Sequence, residues 1–193
     1  MGKNILGLAL VGLLAGCASN DYAKFSANSG ISEESLTKYC KEIRCTYDEL
    51  KDRVQATAND SNVMYLLAGS ESRTIEYTWV SGNNTISIDV FSVGLYGSWS
   101  FYDKAEIYIE KEMVAELSSK VDRVVGKYNE AAREHEKIEI ISGSLDFETA
   151  QKIAQANHDT VTIRFYGKNG YKDEKLPRKH DLINVVNLAK SMQ

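Results

Sequence analysis

The sequence predicts an α+β fold: a single domain in which an antiparallel β-sheet is partly covered by two C-terminal amphipathic helices. Three observations carry this prediction. Residues 75–79 and 86–90 alternate apolar and polar side chains with period two around the turn sequence Ser81-Gly82-Asn83-Asn84. Residues 147–157 and 182–192 instead repeat their apolar side chains at helical spacing. The composition, 43% hydrophobic and 26% charged over 193 residues, fits one ordinary globular domain, and a single proline among 13 glycines excludes collagen-like or proline-rich chains.

Ser32 caps a short helix through Tyr39, in which Leu36 and Tyr39 or Cys40 share a face. After Thr46 two readings stay open. Leu50 and Val54 suit a helical turn, whereas Val54, Ala56 and Ala58 alternate as in a strand. Residues 63–67, 74–80 and 85–93 are rich in β-branched and aromatic side chains. Ile75, Tyr77 and Trp79 face away from Glu76 and Thr78, and Ile86, Ile88 and Val90 from Ser87 and Asp89, so the last two segments form a hairpin with one buried face.

Residues 99–101 and 105–109 extend the same sheet. Residues 110–137 remain open: Met113, Leu117, Val121, Val124 and Tyr128 share a helical face, while Lys111-Glu112-Met113-Val114 would prolong the preceding strand. The polar run 127–137 reads as solvated, and 138–141 as a short apolar strand. Phe147, Ala150, Ile153 and Ala154 then mark a helix closing at Asn157. Val161, Ile163 and Phe165 alternate before Gly167-Lys168-Asn169-Gly170, which turns a second hairpin running to Leu176. Pro177 opens the last helix, with Leu182, Val185, Val186, Ala189 and Met192 in one stripe.

The first sixteen residues read as an address. Lys3 and the amino terminus precede the apolar run 5–15, ILGLALVGLLA, which is shorter than the ~20 residues of a membrane-spanning helix. The run ends in Leu14-Ala15-Gly16-Cys17, which resembles the lipobox of bacterial lipoproteins. The resemblance implies that Cys17 receives a diacylglycerol, that the chain is cut before it, and that the new amino group takes a further acyl chain such as palmitate. Two or more chains make membrane anchoring stable where one does not. Ala18 stands where an aspartate would resemble the inner-membrane retention signal of enteric bacteria, which points to the outer membrane, facing the periplasm; the inner membrane and the cell surface are the alternatives. The predicted organisation is a lipoprotein signal peptide at 1–16, a lipidated, small and polar tether at 17–30, and the globular domain at 31–193.

With Cys17 lipidated, Cys40 and Cys45 form an even pair in an oxidising compartment, which reads as a disulfide. Residues five apart in a continuous helix are too distant to be bridged, so the helix must break near Cys40. Thr46-Tyr47-Asp48-Glu49 has the form of a capping box and would restart a helix after the break. A redox-active pair, usually Cys-x-x-Cys, is the alternative.

Residues capable of chemistry are scattered. Glu134-His135-Glu136, His158-Asp159 and His180-Asp181 are sequence neighbours, which point to different faces of a helix or strand, and they read as solvated or capping groups. No nucleophile elbow, His-Glu-x-x-His, phosphate loop or calcium loop occurs in the sequence. No catalytic residue, metal or cofactor is therefore assigned. A net charge of −4 disfavours nucleic acid. Tyr96, Trp99 and Tyr102, within 93–102 (VGLYGSWSFY), are the candidate binding residues: they would stack on sugar rings or on a partner's apolar side chains, with Gly94 and Gly97 permitting close approach. The competing reading, a bent strand whose aromatics fill the core, is preferred on general burial preference. Arg164, Lys168, Lys172, Lys175, Arg178 and Lys179 make the C-terminal quarter basic, read as a solvated hairpin in preference to a surface for an acidic partner. The expected function is a lipid-anchored, non-catalytic domain facing the periplasm that binds an envelope protein or glycan. The alternatives are an envelope hydrolase with dispersed catalytic residues and a purely structural envelope lipoprotein.

Overall fold

A computed structural model describes residues 22–62, 71–94, 99–130, 133–176 and 180–192. In order, the elements are α1 (Tyr22–Ser29), α2 (Glu33–Tyr39), β1 (Arg44–Asp48), β2 (Arg53–Asn62), β3 (Glu71–Val80), β4 (Thr85–Gly94), β5 (Tyr102–Ile109), β6 (Glu112–Leu117), β7 (Lys120–Asn129), β8 (Glu134–Asp146), α3 (Phe147–Gln155), β9 (Val161–Gly167), β10 (Gly170–Lys175) and α4 (His180–Ser191). The class is α+β, and the strands divide between two antiparallel sheets: six strands in the order β1-β2-β3-β4-β8-β7 and four in the order β10-β9-β5-β6.

Alternation along β3 and β4 buries Ile75, Tyr77, Trp79, Ile86, Ile88 and Val90 on one face, with Tyr77 opposite Ile88. The helices cover that face. Leu182, Val185, Val186 and Ala189 of α4 are all buried, and this helix lies on β2 and β3 and against α3. Asp146 caps α3 by accepting from the Thr149 amide at 2.6 Å, and Ala150 and Ile153 turn inward. The four-stranded sheet buries Ala105, Ile107, Val161, Ile163 and Phe165 and closes the rest of the core. Gly143 on β8 permits the two sheets to meet, since a Cβ there would stand 2.6 Å from the Leu117 Cδ2 of β6.

Several expectations change. Residues 99–101 lie outside the strands, and 105–109 belong to β5 of the second sheet and do not extend the first. Within 110–137 the described residues form no helix: they lie in β6, β7, the start of β8 and the short turns beside them. The would-be helical face is scattered by that geometry, leaving Met113, Val124 and Tyr128 exposed while Leu117 is buried. Ladder pairing to β8, with Val121 opposite Ile141, satisfies the β7 backbone instead. The chain does break at Cys40, which caps α2, and the Cys40 and Cys45 sulfurs stand at bonding distance with Cα atoms 5.6 Å apart. No helix restarts at Thr46. Those residues form β1, and Asp48 accepts from the Leu50 and Lys51 amides at 3.1 and 3.2 Å to make a hairpin turn into β2, whose Val54, Ala56 and Ala58 are buried. Tyr22–Ser29 is helical, and the Phe25 ring lies 5.9 Å from that of Tyr47. Cys17, residues 63–67, Tyr96, Pro177, Arg178 and Lys179 lie outside the described residues.

Candidate functional site

The site begins where β5 has not yet started. Residues 99–101 cross from the first sheet to the second, pressed against β9: a Cβ on Gly167 would come within 2.8 Å of the Phe101 carbonyl oxygen and 3.0 Å of that of Ser100. Outside a ladder, their amides need another acceptor. Glu139 of β8 provides it. Its carboxylate, 3% exposed, accepts from the amides of Ser100 (2.8 Å), Phe101 (3.2 Å) and Tyr102 (3.1 Å). Arg123 of β7 donates Nε to Glu139 at 3.0 Å and Nη2 to the Tyr102 carbonyl oxygen at 2.6 Å. These are charge-assisted bonds, roughly twice as strong as neutral ones. They hold Phe101 at φ 54°, a conformation that costs an L residue ~1–2 kcal/mol, with the residue 42% exposed. A buried carboxylate, paired with a partly exposed guanidinium, thus maintains a strained backbone and a partly exposed aromatic residue.

Beside this segment lies a recess of about 340 Å³ between residues 99–102 and the β9–β10 turn. Trp99, Tyr102, Asn169, Tyr171 and Lys172 contribute to its lining. Trp99 is half-buried. Tyr171 is 64% exposed, with the Arg164 guanidinium 4.2 Å over its ring. Arg164 is itself fixed, donating to both carboxylate oxygens of Asp173 at 2.6 and 2.7 Å, which holds the Asp173 carboxyl below the usual range. The Tyr102 hydroxyl accepts from Arg73 Nη2 at 2.9 Å. Arg73 is buried over the adjoining rings of Phe165 and Tyr102, and it reaches Glu174 of β10 at 3.3 Å, tying β3 to the second sheet. Glu174 also pairs with Lys172 at 2.7 Å. Lys137 stands 5.9 Å from the Trp99 ring, and Lys168 5.8 Å from that of Phe101.

The outer face of the four-stranded sheet is locked by a second carboxylate. Glu106 accepts from Tyr108 (2.5 Å), Tyr166 (2.7 Å) and Lys104 (2.7 Å), and Lys104 reaches Glu116 at 2.9 Å. Burial would raise the Glu106 pKa, but these three hydrogen bonds outweigh it and hold the value at about 2. The same bonds push the Tyr108 hydroxyl and the Lys104 ammonium above their ordinary values. Such a group is a poor base at neutral pH and an effective fastener.

Of the three aromatic candidates, Trp99 and Tyr102 meet at the recess. Tyr102 is 6% exposed and joins the core, whereas Trp99 is half-buried at the recess. Phe101, Tyr171, Arg123 and Glu139 were not singled out from the sequence. Glu139 had a local signal, being the one acid inside the apolar run Ile138-Glu139-Ile140-Ile141. His135 Nδ1 lies 3.1 Å from the Gly126 carbonyl oxygen beside Tyr128, and His158 sits in a 3₁₀ turn, each apart from the recess. Another recess, about 270 Å³, adjoins the Cys40–Cys45 loop at Ile43, Thr57 and Glu76. The chain matches no family model, no characterised protein sequence and no solved structure. Among the described residues, no helix is long and apolar enough to cross a membrane.

Proposed function

We propose that this chain is a lipid-anchored envelope domain that acts without catalysis, binding a protein or envelope component through residues 99–102 and the adjoining recess. On this reading residues 31–193 are a single domain with α3 and α4 as its C-terminal helical cover, and acyl chains on Cys17 hold it to the outer membrane on the periplasmic side. One observation carries the binding role. The fold commits the buried Glu139 and its Arg123 partner to keeping Phe101 strained and partly exposed at the surface. Backbone strain and an exposed aromatic both cost stability, and both concentrate where a surface is kept ready for a ligand.

The test is a photo-crosslinking amino acid at position 101 of the full-length chain in intact cells, with position 87 as control. Ser87 is exposed on β4 of the other sheet. Adducts should form at 101 and not at 87, and Trp99→Ala should abolish them while melting close to the parent; Trp79→Ala, in the core at 2% exposure, should cost ~3–5 kcal/mol. Equal labelling at 87, or a Trp99→Ala destabilisation as large as that of Trp79→Ala, overturns the binding role. Cys17→Ser should move the chain out of the detergent phase and block its processing; unchanged partition and processing overturn the anchor.

A further inference from the structure

We propose that the recess takes a carboxylate-bearing glycan, an inference that rests on the binding role just described and names the chemistry of its ligand. A pyranose offers a face of C–H groups and a rim of hydroxyls and amides. Such a ligand needs aromatic ring faces combined with polar partners. The recess supplies both, with the rings of Trp99 and Tyr171 and, between them, the side chains of Asn169 and Lys172 and the backbone of Gly167 and Gly170. Its volume of about 340 Å³ lies at the small end of ligand sites, which run from ~300 to ~1,000 Å³. Arg164 fixes the Tyr171 ring before any ligand arrives, so little ordering entropy remains to be lost there.

The charge of the ligand follows from which groups are already neutralised. Glu174 is shared by Lys172 and Arg73, and Asp173 is held by Arg164. Lys137, 5.9 Å from the Trp99 ring, and Lys168, 5.8 Å from the Phe101 ring, add two cations beside the aromatic segment. Lys172 in the lining and Lys137 beside Trp99 would draw a carboxylate on the sugar, on a chain whose net charge is −4. A peptide adding as a strand to β10 is disfavoured. That edge carries Lys172-Asp173-Glu174-Lys175, four successive charges of the kind that keep sheet edges from pairing.

The experiment uses the detergent-solubilised full-length chain carrying Trp79→Phe, which leaves Trp99 as its single tryptophan. Two probes share an N-acetylated backbone: a tetrasaccharide alternating N-acetylglucosamine with N-acetylmuramic acid, its lactyl carboxylates free, and chitotetraose, which lacks them. Hexaglutamate supplies carboxylates without sugar. The muramyl tetrasaccharide should shift Trp99 emission saturably, chitotetraose should bind at least about ten-fold more weakly, and hexaglutamate should leave the emission unchanged. Tyr171→Ser should weaken both sugars by about ten-fold, whereas Lys137→Gln with Lys168→Gln should erase the preference for carboxylate and spare chitotetraose. Calorimetry on the unsubstituted chain reads the same affinities if Trp79→Phe fails to fold. No saturable response to the muramyl probe at millimolar concentration, equal affinity for the two sugars, or an equal response to hexaglutamate overturns the proposal. If the muramyl probe fails while position 101 still captures an envelope partner, the glycan assignment falls and the binding role stands.

Discussion

Glu139 and Glu106 are both nearly inaccessible, at 3% and 6% exposure, and both are bonded to a cation, yet they do different work. Glu106 accepts from side chains whose backbones are already fixed by the β5–β9 ladder. Its bonds stiffen a face that would exist without them. Glu139 accepts from backbone amides that begin outside any strand, so its bonds specify the path of residues 100–102 and the left-handed turn at Phe101. The same residue type, buried to the same degree, reinforces structure in one region and creates it in the other. The distinguishing quantity is what the carboxylate accepts from.

Removing Glu139 should have the largest effect. Glu139→Ala leaves three amides and the Arg123 Nε without their acceptor and should cost ~3–5 kcal/mol in urea denaturation, with loss of cross-linking at 101. Glu106→Gln should cost less, ~1–3 kcal/mol, and leave cross-linking at 101 intact; loss of that cross-link would dissolve the contrast between the two sites.

The pH dependence sharpens the comparison, because Glu106 has its folded pKa depressed to about 2 from an ordinary value of 4.5. Its contribution is complete above 4.5 and disappears as pH falls toward 2. The gap in melting temperature between the parent and Glu106→Gln should therefore be wide at neutral pH and narrow steadily below 4.5; a constant gap would show that its charge is not involved.

Phe101→Gly should have the smallest effect on stability. It relieves the positive φ but loosens the unfolded chain, so stability should stay within about 1 kcal/mol of the parent while partner capture by a cross-linker moved to position 169 at the recess is lost. A marked destabilisation would place the Phe101 ring among the packing residues and remove the case for a presented aromatic.

Legibility tracked the range of the forces involved. The buried faces of β3, β4, β9, α3 and α4 follow from local periodicity, and the break at Cys40 follows from the short reach of a disulfide. Residues 110–137 resisted because apolar side chains such as Met113, Val124 and Tyr128 mimic a helical stripe, whereas pairing to β8, remote in sequence, satisfies the backbone as strand. The assignment of β5 to a second sheet likewise depends on β9, more than fifty residues downstream.

The α+β class and the aromatic cluster around Trp99 and Tyr102 could be read along the chain, because amphipathic burial and aromatic clustering are written in adjacent residues. The clamp could not. A carboxylate at 139, a guanidinium at 123 and three amides at 100–102 meet only after two sheets have packed, and the recess needs the β9–β10 turn to arrive from residues 167–172. Hydrogen bonds and cavities depend on ångström distances between groups far apart in sequence, and no local pattern encodes those distances.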